Sequence, residues 1–109
     1  MELASFGNKR TYDDFKKQIP ENVVPKFETI RDYCFSLGDN VVEDIRMHRI
    51  VFGKSMSFRW FADVCPQENS VMVKIQKNRK ETPQLFQVEL DQDLIDIKKQ
   101  LKQAYDLIR

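Results

Sequence analysis

Several residue groups in this 109-residue chain are of the types that catalysis or phosphate binding requires, and their spacing decides what each can do. Gly53-Lys54-Ser55 has the ending of a phosphate-binding P-loop, whose backbone N–H groups wrap a phosphate ahead of a helix. That loop needs a further glycine five residues before its Gly-Lys pair, where this chain has His48. The segment reads as a hairpin turn between two strands. His48 is the only histidine, and no acids or thiols stand around it at ligand or base spacing, so it reads as a surface or strand side chain. Asp91, Asp93 and Asp96 lack the glycine and closing glutamate of a calcium loop, and serve as acids at a helix start. Glu43 and Asp44 would point to opposite faces of a strand and cannot pair as carboxylates within it. A metal nuclease of the D…E-x-K type would use Asp63 and then Glu-x-Lys on the next strand, but Met72-Val73-Lys74 lacks the glutamate. Cys34 and Cys65 form no Cys-x-x-Cys and have no partner pair, so they read as buried reduced thiols. The expectation is a non-catalytic chain with no metal site and no cofactor.

A second chemistry is anion binding. From Ile45 to Lys80 there are eight Lys/Arg against two acids, a local charge of +6, whereas the segments before and after carry −3 and −2. The total of +1 hides this layout. Strand alternation over Ser57 to Val64 sends Phe58, Trp60, Ala62 and Val64 to the core and Arg59, Phe61 and Asp63 to the opposite face. On the partner strand Val71, Val73 and Ile75 join the core, leaving Met72, Lys74 and Gln76 beside Arg59 and Phe61. With Lys77, Arg79 and Lys80 in the following loop, this face would offer cations to phosphates and Phe61 to stack a base. The candidate nucleic-acid-binding set is therefore Arg59, Phe61, Lys74, Lys77, Arg79 and Lys80. The same face has a plainer reading, a solvated sheet surface whose lysines discourage aggregation. Phe61 and Met72 could instead mark a protein contact, since large apolar side chains on an otherwise polar face often do.

The elements that would position these residues follow from local signals. Thr11 with Asp14 approximates a capping box for a short helix ending before Pro20. Asn22 caps a second helix whose stripe runs through Val24, Phe27, Ile30, Arg31, Cys34 and Leu37, with Gly38 as its left-handed stop. The period then falls toward two, giving strands over Ile45 to Phe52, Phe58 to Val64, Val71 to Ile75 and Leu85 to Leu90. Turn-like Gly53-Lys54-Ser55 and Pro66 to Ser70 suit antiparallel hairpins. Asp91 caps a last helix with Leu94, Ile97, Leu101, Ala104, Tyr105 and Ile108 inward. The length suits one domain, and no apolar run is long enough to span a bilayer, so a cytoplasmic protein is expected. No secretory leader pattern opens the chain.

From about Phe27 to Arg109 the chain resembles a family of uncharacterised prokaryotic domains labelled "predicted transport protein", found alone or attached to nuclease and restriction-system modules. The resemblance lies in IRDYCFSLGDNVVEDI, in the hairpin series RIVFGKSMSFRWFADVCPQENSVMVKIQK, and in the closing FQVELDQDLIDIKKQLKQAYDLIR. Unlike many members, this chain has no Gly and Trp pair between Asn78 and Gln84. The resemblance implies a topology and the company of nucleases rather than an activity.

Together these readings predict one α+β domain over residues 1–109: an antiparallel sheet of about four strands, with two N-terminal helices and one C-terminal helix packed mainly on one face. The expected core includes Phe27, Ile30, Leu37, Phe58, Trp60, Val73, Leu94, Leu101 and Tyr105. The expected function is a small binding module that assists nucleic-acid transactions, with nucleic acid or a nuclease or restriction protein as partner. The alternative is a protein-interaction or self-association domain using the Phe61 and Met72 face or an open sheet edge. Monomer and homodimer both remain open, and no membrane partner is expected.

Overall fold

Thr11 starts the first helix, α1 (Tyr12–Lys16), by accepting the Asp14 N–H on its Oγ1 at 3.2 Å, and Asp13 and Asp14 occupy the first turn, where the positive helix end favours them. The computed structural model describes residues 10–57 and 59–108, so the expected core position of Phe58 lies outside the described residues. Helix α2 (Val24–Ser36) starts without a side-chain cap and with Pro25 in its first turn, where a missing N–H costs little. Asn22, expected as that cap, instead donates its Nδ2 to Asn69 Oδ1 at 3.0 Å. Phe27, Ile30 and Cys34 form the buried stripe, as their spacing predicts. Gly38 is not left-handed, which corrects the expected stop. Its value is space, because a Cβ there would run into the Tyr105 hydroxyl.

Five strands follow, one more than expected: β1 (Val41–Ile45), β2 (Ile50–Lys54), β3 (Arg59–Pro66), β4 (Ser70–Ile75) and β5 (Gln84–Glu89). They pair in chain order, each antiparallel to the next. The stretch read as one strand from Ile45 to Phe52 contains a tight turn, closed by the Arg46 N–H on the Arg49 carbonyl at 2.8 Å. The next hairpin turns at Ser55 to Ser57 rather than at Gly53, which belongs to β2. Glu43 and Asp44 do take opposite faces. Glu43 accepts both Nε and Nη2 of Arg31 from α2, at 2.7 and 3.0 Å, while Asp44 pairs with Arg46.

One irregularity in the sheet reorders the candidate site. Phe52 lies opposite Ala62 but Gly53 lies opposite Trp60, so Phe61 is an extra residue in β3, a β-bulge. A bulge interrupts alternation, so Phe61 and Ala62 both enter the core. Gly53 permits it: a Cβ at Gly53 would meet the Arg59 carbonyl oxygen at 2.7 Å. Phe61 is fully buried, edge-on to Tyr105 with ring centroids 5.6 Å apart. Its expected place on the open face is thereby corrected. Trp60, expected in the core, stands half-buried outside it.

Helix α3 (Ile95–Leu107) begins later than expected, after Asp93 rather than Asp91, with Asp93 Oδ1 accepting the Ile95 N–H at 3.1 Å. It lays Ile97, Leu101 and Ala104 on the same sheet face that α2 covers. Between helices and sheet sit Phe15, Phe27, Ile30, Ile50, Phe52, Phe61, Val64, Val73 and Leu101, all essentially without exposure. Each such large side chain contributes about 1.5–3 kcal/mol by leaving water. Among the described residues, no helix covers the other sheet face. No helix among the described residues is long and apolar enough to cross a membrane.

Candidate functional site

The basic middle of the chain divides into cations spent on the fold and cations left over. Arg46 pairs with Asp44 at 3.0 Å, and Arg49 pairs with Asp63 at 3.0 Å. Lys54 donates to the Ile108 carbonyl and lies 4.2 Å over the Tyr105 ring, which closes the end of α3 onto β2. Lys74 faces Asp63 directly across the β3–β4 ladder, on the face away from α2 and α3. Asp63 is 8% exposed, and its desolvation raises its pKa although Arg49, Lys74 and Arg46 all act to lower it. Lys74 is therefore part of a charge cluster centred on a carboxylate, apart from the other candidates. No group of three or more His, Cys, Asp or Glu that could hold a metal occurs among the described residues.

Arg59, Lys77 and Arg79 do converge. They surround two adjoining clefts where β3 runs past the end of β4, beneath the loop that leads to β5 and beside the end of α3. The first, of about 330 Å³, is lined by Arg59, Trp60, Gln76, Arg79 and Ile108. The second, of about 270 Å³, shares Arg59 and Arg79 and adds Lys77 and Glu81. Among the described residues, no carboxylate stands within ion-pairing distance of Arg59, Lys77 or Arg79. Lys77 is instead held by two neutral amides of α3, Gln100 Oε1 at 2.5 Å and Gln103 Oε1 at 3.0 Å, which orient its ammonium and leave its charge uncancelled. Lys80 is exposed in the loop, its backbone N–H bonded to Asn78 Oδ1, and it lines neither cleft.

Two members of the site escaped the sequence reading. Trp60 was assigned to the core, and the bulge places it in the cleft wall. Gln76 was counted only as an open-face side chain, yet its Nε2 donates to the carbonyls of Asn78 and, at 3.0 Å, Glu81. It thus clips the loop that carries Arg79. The signal for Trp60 was Gly53 within a strand pattern, which marks a bulge or a close approach of backbone.

The remaining chemistry-bearing residues are structural or solitary. His48 is exposed in the β1–β2 turn. Cys34 is buried, and burial pushes its thiol pKa up; Cys65 is half-exposed rather than buried, with Sγ 3.4 Å from the His48 carbonyl. Comparison with family models, curated proteins and solved structures finds no match for the chain.

Proposed function

We propose that this domain is a non-catalytic nucleic-acid-binding module that uses the basic cleft, with Arg59, Lys77 and Arg79 toward phosphates. The observation that carries the reading is their convergence beside an aromatic wall, with no carboxylate among the described residues within ion-pairing distance. Two guanidinium forks suit phosphate oxygens, and the third cation is held in place by Gln100 and Gln103. Phe61 takes no part, since it is buried, and Lys74 and Lys80 add at most to the surrounding field. The resemblance to domains that accompany nuclease and restriction modules supports an accessory role beside such a protein. A cytoplasmic setting fits the two unpaired thiols.

Anisotropy of a labelled oligonucleotide across a salt series tests this. Affinity should fall with a log–log slope of roughly −0.7 to −0.9 per phosphate contact, and Arg59→Ala or Arg79→Ala should each make the slope shallower by about one contact. Absence of binding at low salt, or binding indifferent to salt, would refute it.

Self-association through a sheet edge is the second reading. Both β1 and β5 have an unpaired edge among the described residues, and Leu85 on β5 is 63% exposed.

A further inference from the structure

We infer that the cleft takes one unpaired nucleotide of a single strand, its base against the Trp60 indole and its phosphate between Arg59 and Arg79. The inference rests on the nucleic-acid reading above and narrows it from nucleic acid in general to single strands. Shape comes first. A duplex is read by a helix or ribbon that projects into a groove, whereas here the cations and the indole line a recess of about 330 Å³. Bases inside a stack cannot enter such a recess unless they are flipped out, and a single strand offers its bases freely.

The lining supplies the rest. The bulge at Phe61 turns Trp60 out of the core, and the half-buried side chain lines the first cleft. Ile108 adds apolar lining beside it, and Arg59 and Arg79 belong to both clefts. Glu81 lines only the second cleft. Its negative charge disfavours phosphate in that cleft and so favours the first, which has the same two guanidinium groups and no carboxylate among its described lining residues. Gln76 holds the loop that completes this wall, so it is a positioning residue.

Trp60 is the only tryptophan in the chain, so intrinsic emission reports on this cleft alone. Titrating the full chain with a short oligothymidylate should quench or shift that emission saturably. The same sequence as a duplex should bind at least about tenfold more weakly at equal salt and leave the emission unchanged. With a fluorescein-labelled single strand, Trp60→Ala should weaken binding roughly 5- to 150-fold, the range that base–aromatic stacking carries, and Trp60→Phe should recover part of it. A circular-dichroism melt confirms that each variant is folded, and the Phe variant carries the test if the Ala variant is not. Equal binding of single strand and duplex with unchanged emission overturns the single-strand inference and leaves the nucleic-acid reading standing. Polyphosphate matching the oligothymidylate in affinity overturns the stacking role. Binding of neither strand form overturns both readings.

Discussion

Asp63 is almost fully covered on a sheet face that no helix among the described residues protects, and its burial outweighs three cations. Arg49 holds one carboxylate oxygen at 3.0 Å, and Lys74 and Arg46 stand near enough to act on it, yet desolvation keeps its pKa above the ordinary aspartate range. The native state therefore holds that proton more tightly than the unfolded chain, whose aspartates titrate near about 3.9. Stability from this proton is fully present below that value and is lost as pH rises through the higher folded pKa. Glu28 acts in the opposite sense. Hydrogen bonds from Lys16 and then Tyr12 lower its pKa, so its contribution is lost as pH falls. Urea unfolding of wild type and Asp63→Asn from acid to neutral pH separates the two, because Glu28 is common to both curves. The wild-type curve should fall relative to the variant as pH rises past the unfolded aspartate range. Parallel curves would show that Asp63 is solvated in the native state. Arg49 can rehydrate in the variant, since its side chain is 47% exposed.

At the scale of elements, the bulge in β3 governs both core and cleft. It depends on Gly53, because any Cβ there meets the Arg59 backbone oxygen at 2.7 Å, and backbone cannot turn aside as a side chain can. Gly53→Ala should therefore lower stability by about 1–3 kcal/mol in urea unfolding, the usual cost of forcing atoms into a packed site. It should also shift Trp60 emission and weaken oligonucleotide binding. A variant as stable as wild type, with unchanged emission, would show that the bulge does not need the glycine. The same feature marks where the chain was legible and where it was not. The stripe of Phe27, Ile30 and Cys34 and that of Ile97, Leu101 and Ala104 could be read because helical period is local. The Thr11 cap could be read for the same reason. Strand period is also local, but a single inserted residue inverts it, and whether one is inserted depends on a partner strand. Alternation from Val64 backward thus placed Ala62 correctly and exchanged Phe61 with Trp60. The extra strand was missed because Glu43 and Asp44 make Val41–Ile45 look polar, although Arg31 reaches from α2 to neutralise Glu43.

For the whole molecule the question is whether binding would follow the general field or one place in it. The +6 of the middle segment already sets Asp63 against Arg49 and Lys74, and it overstates the available charge further because Arg46 pairs with Asp44 from outside the segment. What the fold leaves uncancelled collects at the end of the sheet where Lys54, Arg59 and Ile75 lie. Helix α1 sits toward the other end, where Gln18 donates to the Met47 carbonyl in the β1–β2 turn at 2.9 Å. Two charge reversals of equal size can therefore be compared. Lys17, the residue that caps the end of α1, is 80% exposed and only loosely paired with Asp14 at 3.5 Å, so Lys17→Glu should cost little stability. Long-range attraction would weaken similarly for Lys17→Glu and Arg79→Glu at low salt, since the net charge changes alike and the Debye length exceeds about 10 Å there. A cleft that binds phosphate directly predicts divergence. Arg79→Glu should weaken single-strand binding by at least about tenfold and make the salt slope shallower by about one contact, while Lys17→Glu stays within about twofold of wild type. Equal losses in anisotropy titrations would assign the attraction to the overall field and withdraw the cleft as its seat.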